Sequence, residues 1–122
     1  MANASADPVR RLLLVDDDAN LLRSIERLLA ETYEVHAAAD AEQAAELLTR
    51  YEFELILCDY DMPGRDGLWL LALAQERRPG SRRVLMSGGD PPDLPLRRVS
   101  GVLHEFVEKP FSPATLHDAL TD

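Results

Sequence analysis

The sequence predicts an α/β protein built on a parallel β-sheet, and three observations carry this prediction. Short apolar segments of strand length alternate along the chain with segments of helical periodicity. Several of the short segments, such as Leu12–Val15 and Leu55–Cys58, are apolar throughout, as expected for strands that are covered on both faces. The length of 122 residues fits one compact domain.

The elements follow one another in a regular order. The predicted strands are Arg11–Val15, Glu34–Ala39, Leu55–Cys58, Arg83–Ser87 and Glu105–Glu108. Helical patterns follow, with starts at Asp17 or Asp18, Asp40, Leu68 and Ser112–Pro113. Aspartate and serine are favoured helix N-caps, and Gln43, three residues after Asp40, resembles the second half of a capping box. The last helix has room from Pro113 to about residue 121.

One segment interrupts the alternation of strands and helices. Where a helix is due between the fourth and fifth strands, the chain reads Asp-Pro-Pro-Asp-Leu-Pro over residues 90–95. A proline inside a helix costs about 3 kcal/mol. The element between these two strands is therefore predicted to be short or irregular.

Composition and charge exclude several classes of protein. With 13 basic and 22 acidic residues the net charge is −9, which opposes direct binding to nucleic acid. Cys58 is the single cysteine, so a disulfide-built scaffold is excluded, and no apolar run is long enough for a signal peptide or a membrane span. We expect a cytoplasmic protein with a flexible tail over residues 1–8 and one domain over residues 9–122. Four arginines near the fourth strand are expected to form a solvated rim: Arg77, Arg78, Arg82 and Arg83.

Polar side chains stand where the predicted strands end. These residues are Asp16, Asp17, Asp59, Ser87 and Lys109, and Asp61 follows two residues after Asp59. Because ligands bind outside the carboxyl ends of parallel strands, we expect these groups to converge on one edge of the sheet. Clustered carboxylates repel one another unless a cation lies among them, and hard oxygen ligands in an open site suit Mg²⁺.

The same set of groups indicates phosphoryl chemistry. An ammonium and a hydroxyl opposite a metal ion can hold the oxygens of a transferring phosphoryl group. A carboxylate can itself accept that group as an aspartyl phosphate. Asp59 is the candidate acceptor, because it ends what should be the central strand of the sheet.

These motifs resemble the receiver (CheY-like) domain of two-component response regulators. The resemblance runs from about residue 9 to 121 and rests on Leu12–Asp17, the stretch from Asp59 to Gly67, Ser87, and Lys109-Pro110-Phe111. It implies a flavodoxin-like α/β/α fold with five parallel strands in the order 2-1-3-4-5. It also implies a phosphoacceptor that assists its own phosphorylation and dephosphorylation, rather than an enzyme acting on an external substrate.

The resemblance assigns a role to each residue of the motifs. Asp59 would accept the phosphoryl group, Asp17 would bind Mg²⁺ directly, Asp16 would act on the metal largely through water, and Asp61 would offer its backbone carbonyl. Ser87 and Lys109 would bind phosphoryl oxygens. The donor would be a sensor histidine kinase or a phosphotransfer protein. The output would be a repacking of the face built from the fourth helix, the fifth strand and the fifth helix. An effector domain after residue 122 and a homodimer are further expectations.

The chain departs from the family pattern near the expected switch. Phe106 stands where many receivers have a tyrosine, so that side chain has no hydroxyl for a hydrogen bond. Gly88 and Gly89 follow Ser87 where one small residue suffices, and the proline-rich segment 90–95 falls on the usual output face.

Two alternatives stay open at the level of the sequence. A degenerate receiver would bind partners without being phosphorylated. A haloacid-dehalogenase-type phosphatase would use the Asp-x-Asp of Asp59 and Asp61. That family, however, needs Thr or Val at the position of Pro63 and places its acidic pair after the lysine, whereas Asp16-Asp17 comes before Lys109.

Overall fold

The computed structural model describes residues 9–88 and 101–121, which form a three-layer α/β/α sandwich. Five parallel strands lie in the order β2-β1-β3-β4-β5, so the predicted class and the strand order implied by the resemblance are confirmed. The strands are β1 (Arg10–Val15), β2 (Tyr33–Ala38), β3 (Leu55–Asp59), β4 (Arg82–Ser87) and β5 (Glu105–Glu108). The helices are α1 (Ala19–Leu29), α2 (Ala41–Arg50), α3 (Gly67–Arg77) and, after β5, α4 (Pro113–Leu120).

Three sequence predictions fall on parts of the chain outside the described residues. These are the tail over residues 1–8, the irregular element with its segment 90–95, and Gly89. The helix after β5 is therefore numbered α4 here. Among the helices that the structure describes, no candidate membrane span is found.

Side-chain caps begin the helices at the positions where the sequence places them. The Asp18 carboxylate accepts the backbone N–H of Leu21 at 3.2 Å, and the Ser112 hydroxyl accepts that of Thr115 at 3.1 Å. At α2, Asp40 accepts the N–H of Gln43 at 2.8 Å. The Gln43 side chain accepts from the residue before the cap, Ala39, at 3.1 Å, one residue earlier than in a capping box.

Alternate residues of the central strands supply two apolar layers, one on each face of the sheet. Leu13, Ile56 and Cys58 belong to the layer shared with α2 and α3. Leu14 and Leu57 belong to the layer shared with α1 and α4. All five side chains are at most 1% exposed, which explains why these strands are apolar throughout. A sheet covered on both faces leaves its strand ends as the accessible places for polar chemistry.

Arg83 corrects one expectation from the sequence, because its side chain is only 2% exposed and does not lie on a solvated rim. Its Nε donates to the carbonyl of Val102 at 2.8 Å, and Nη2 donates to that of Gly101 at 2.9 Å. Its Nη1 donates to the carbonyl and the hydroxyl of Ser81 at 2.9 and 3.0 Å. A guanidinium can be buried here because carbonyls at the base of the sheet, the amino end of β4, take up its N–H groups.

Candidate functional site

The carboxyl ends of four strands bring Asp16, Asp59, Ser87 and Lys109 to one edge of the sheet. Asp59 and Ser87 are the last residues of β3 and β4, while Asp16 and Lys109 directly follow β1 and β5. Backbone pairing continues past the strand ends, since the Lys109 N–H donates to the Ser87 carbonyl at 2.8 Å. The parallel register therefore sets the backbone positions of the site residues before any side-chain contact is made.

The Lys109 ammonium lies between two buried carboxylates. Its Nζ is 2.8 Å from Oδ1 of Asp59 and 2.9 Å from Oδ2 of Asp16. Asp59 is 4% exposed and Asp16 is fully buried. Such charge-assisted contacts are strong and directional, so Lys109 draws both carboxylates towards one point.

Three carboxylates form a group with the spacing of a metal site. One oxygen each from Asp16, Asp17 and Asp59 lies within 4.8 Å of the other two, and Asp17 is exposed to solvent. The second oxygen of Asp16 accepts the N–H of Asp18 at 2.9 Å, so both Asp16 oxygens already have protein partners. Hard oxygen donors with one open, exposed member fit Mg²⁺, which retains several of its waters.

The electrostatics of the site follow from burial and from the excess of carboxylates. Burial raises the pKa of Asp59 to about 6, and the negative charges of Asp16 and Asp17 act in the same direction, against the hydrogen bond from Lys109. Burial alone would lower the pKa of Lys109, but hydrogen bonds to Asp59 and Asp16 outweigh it and raise that pKa. The lysine therefore stays charged, while the Asp59 carboxylate is held in a site that disfavours its negative charge.

The other predicted site residues differ in their exposure and surroundings. Ser87 is 1% exposed, whereas the Asp61 side chain is exposed and lies outside the three-carboxylate group. Asp61 lines a cavity of about 360 Å³ together with Tyr60, Met62, Pro63 and Asp66. Phe106 is half-buried against the α2–α3 layer. Gly88 is exposed, and no described residue lies within 4 Å of the position that its Cβ would take.

The turn that returns the chain from β3 to α3 contains residues for which the sequence indicated no role. Asp66 caps α3 by accepting the N–H of Trp69 at 3.0 Å, and Gly67 donates its N–H to the Tyr60 carbonyl at 3.1 Å. Gly67 is thus the buried first residue of α3. Because the helical pattern was predicted to start at Leu68, the sequence carries no signal that would single out Gly67.

Comparisons with known proteins agree with this fold. The model of the response regulator receiver domain family matches residues 12–121. The chain is 32% identical to the hydrogenase transcriptional regulatory protein HoxA of Cupriavidus necator, over 94% of this chain and 24% of the relative. It is 34% identical to the transcriptional regulatory protein GlrR of Escherichia coli, over 91% of this chain and 25% of the relative. The chain therefore spans about a quarter of the length of these curated relatives.

A solved structure supports the same assignment. The response regulator receiver domain protein (CheY-like) from Methanospirillum hungatei superposes with a TM-score of 0.85 at 29% identity, over 91% of this chain and 90% of that one. The region matched by the family model includes all four strand ends that carry Asp16, Asp59, Ser87 and Lys109. Of the five strands, only the first two residues of β1 lie outside it. The chain belongs to the response regulator receiver domain family.

Proposed function

We propose that this domain accepts a phosphoryl group on Asp59 in the presence of Mg²⁺ and thereby acts as a phosphorylation switch. The observation that carries the proposal is the position of Lys109, whose Nζ contacts both Asp59 and Asp16 beside the exposed Asp17 carboxylate. A buried acceptor carboxylate, a fixed ammonium and an open acidic group are the parts that phosphoryl transfer to an aspartate needs.

The chemical step is a displacement at phosphorus. An Asp59 carboxylate oxygen forms the new bond to phosphorus while the bond from phosphorus to the leaving group of the donor breaks. Lys109 contacts Oδ1 of Asp59, so its ammonium is close enough to bind an oxygen of the incoming group and offset its charge. The buried Ser87 at the end of β4 would donate its hydroxyl to a second phosphoryl oxygen.

Asp17 and Asp59 would hold Mg²⁺ directly, Asp16 would act on it through water, and the Asp61 backbone carbonyl would complete the set from the chain. When bound, Mg²⁺ neutralises charge on the phosphoryl oxygens and on the carboxylates. Asp16 suits the indirect role because its two oxygens already accept from Asp18 and Lys109.

The wider biological role follows from the same proposal. The donor would be the phosphohistidine of a sensor kinase or a phosphotransfer protein. Gly88 and Phe106 would take part in switching the face formed by the fifth strand and the flanking helices. Because the relatives are about four times longer than this chain, we also propose that an effector domain follows residue 122 and carries the output. A homodimer of the receiver is a further proposal, which follows from the family resemblance. The single domain over residues 9–122 and the cytoplasmic location stay predictions.

Intact mass measured after incubation with acetyl phosphate and Mg²⁺ tests the proposal. We expect a gain of one phosphoryl mass that is lost with chelator and with Asp59→Asn. Glu52→Gln is a matched control, since it removes an exposed carboxylate near the opposite end of the sheet. If the folded protein binds Mg²⁺ without gaining mass, the switch is excluded and a receiver that binds partners without phosphorylation becomes the better description.

A further inference from the structure

Gly67 lies directly behind the proposed phosphoacceptor. The turn over residues 60–66 folds the chain back so that the first residue of α3 packs against the backbone of the last residue of β3. A Cβ placed on Gly67 would overlap the carbonyl oxygen of Asp59 and would lie 3.0 Å from the Asp59 carbonyl carbon. It would also lie 2.9 Å from Cδ1 of Leu85. The helix can approach the strand this closely because residue 67 has no side chain.

The obstruction involves backbone, which makes it costly to relieve. Leu85 could turn its side chain away, but Asp59 is held at the end of β3 by its pairing with Met86 of β4, and the preceding residue, Cys58, pairs with both β1 and β4. The next N–H, of Tyr60, also donates to the Met86 carbonyl at 2.8 Å. A methyl group at position 67 would therefore push Asp59 along the sheet edge or push α3 outward. The first movement changes the 2.8 Å contact between Asp59 Oδ1 and Lys109 Nζ.

We propose that Gly67 is a positioning residue for Asp59. Its missing side chain lets the start of α3 pack against the Asp59 carbonyl and hold the carboxylate at the place where Lys109 and the metal site meet it. The inference rests on the proposed function, since it concerns the geometry of the acceptor in that reaction. Helix propensity alone would favour Gly67→Ala, because alanine is preferred over glycine in a helix interior by about 1 kcal/mol.

The test compares Gly67→Ala with Gly80→Ala in the full chain. Among the described residues, no heavy atom lies within 4 Å of the Gly80 Cβ position, so its substitution is a control without an obstruction. Three quantities are measured. The first is the rate of phosphorylation by acetyl phosphate at saturating Mg²⁺, corrected for the folded fraction. The others are the Mg²⁺ dissociation constant and the backbone amide chemical shifts in the absence of metal. Because small displacements of a reacting group can cost up to about 10²-fold in rate, we expect Gly67→Ala to slow phosphorylation by about tenfold or more.

The same variant should weaken Mg²⁺ binding several-fold and shift the amide signals of Asp59 and Lys109, whereas Gly80→Ala should match the wild type in all three. A lower melting temperature with wild-type rate and Mg²⁺ affinity in the folded fraction would overturn the proposal. Gly67→Ala combined with Leu85→Val removes the nearby Cδ1 and leaves only the backbone obstruction. We expect the double variant to remain slow, and recovery of the wild-type rate would assign the effect to Leu85 packing instead.

The proposed function and this inference fail in different ways. If the wild type gains no phosphoryl mass, the proposed function is wrong, while Mg²⁺ affinity and the metal-free amide shifts still decide whether Gly67 positions Asp59. If the wild type is phosphorylated and Gly67→Ala behaves like Gly80→Ala, the switch stands and the positioning role is wrong. If Gly67→Ala alone does not fold, the double variant with Leu85→Val supplies the comparison by the same measurements.

Discussion

Two cationic side chains lie within the protein at opposite ends of the sheet, and their surroundings differ in charge. At the carboxyl end, Lys109 contacts the carboxylates of Asp59 and Asp16. At the amino end of β4, Arg83 donates to carbonyls and one hydroxyl, and among the described residues no carboxylate pairs with it. Both groups link separate segments of the chain.

The difference in partners separates the proposed phosphorylation site from a structural anchor. Around Lys109, three carboxylates stand against one ammonium, so the site keeps an excess of negative charge that a second cation can reduce. Around Arg83 the acceptors are neutral and burial lowers its pKa, yet each nitrogen of the guanidinium has a partner. A guanidinium whose nitrogens all have acceptors within the protein has little capacity to bind a ligand. It instead ties the turn before β5 to β4.

The largest effect that would separate the two cations is on reaction rate. Lys109→Met removes the ammonium that contacts the acceptor, so phosphorylation by acetyl phosphate should slow by about 10²- to 10³-fold, the usual cost of losing one electrostatic contact in a reaction site. Arg83→Met should leave the rate of its folded fraction close to that of the wild type. Rates taken from intact mass against time check this, and equal losses in both variants would contradict the distinction.

The second effect, on stability, should have the opposite order. Arg83→Met removes the donor to the buried carbonyls of Ser81 and Val102, and one of two donors to that of Gly101, which also accepts from the Gln75 side chain at 3.2 Å. We expect the change to lower the free energy of unfolding by about 3 kcal/mol. Lys109→Met should cost less, because Lys109 is partly exposed and Asp59 can take up a proton. Urea unfolding at pH 7 measures both. A larger loss of unfolding free energy for Lys109→Met than for Arg83→Met would contradict the assignment of Arg83 as the structural anchor.

The two ends also differ in how far the sequence predicts them. At the carboxyl end, Asp16, Asp59, Ser87 and Lys109 are polar residues directly after apolar strands, and the rule that strand ends meet at one edge predicts their convergence. At the amino end, Arg83 is a charged residue in a row of arginines, and composition favours a solvated position for it. Its burial depends on Ser81, Gly101 and Val102, whose carbonyls meet only in the folded chain.

Gly67 and Gln43 show the same limit at shorter range. The helical patterns and the Asp40 cap place the starts of α2 and α3 within one residue of the observed ones. They do not reveal that Gly67 packs against the Asp59 carbonyl or that the Gln43 side chain reaches Ala39. Periodicity records which face of an element is apolar, whereas these contacts depend on distances between elements, which only the assembled fold determines.

The third effect concerns Asp59, the carboxylic acid at the centre of the proposed phosphorylation site. The pKa of Asp59 is raised from 3.8 to about 6, so the folded state favours the protonated acid and loses stability as the pH rises from about 4 to above 6. Asp59→Asn cannot ionise and should therefore be more stable than the wild type at pH 7 in the presence of chelator, by about 2 kcal/mol.

The pH dependence separates this cause from improved packing. The advantage of Asp59→Asn should shrink as the pH falls through 6 and should be nearly absent at pH 4, where both chains carry an uncharged side chain at position 59. Urea unfolding of the two proteins at several pH values gives the comparison. The contribution of Arg83 should not change over this range, so Arg83→Met serves as the reference, and a pH-independent gain for Asp59→Asn would contradict the assignment.

The smallest effect is the response to metal, and it should be confined to the carboxyl end. A ligand that binds only the folded state stabilises it by RT ln(1 + [L]/Kd), which is about 1.4 kcal/mol at ten times Kd. Mg²⁺ at that concentration should raise the melting temperature of the wild type and of Arg83→Met alike, because the Arg83 site has no carboxylate among its described partners. Asp17→Ala removes the exposed member of the carboxylate group and should lose most of this gain in melting temperature.

Lys109→Met should separate metal binding from the reaction. Since excess negative charge is what attracts the metal, this variant should keep the rise in melting temperature with Mg²⁺ even while its phosphorylation is slowed. A variant of Lys109 that lost both would show that the ammonium assembles the carboxylates as well as assisting phosphoryl transfer.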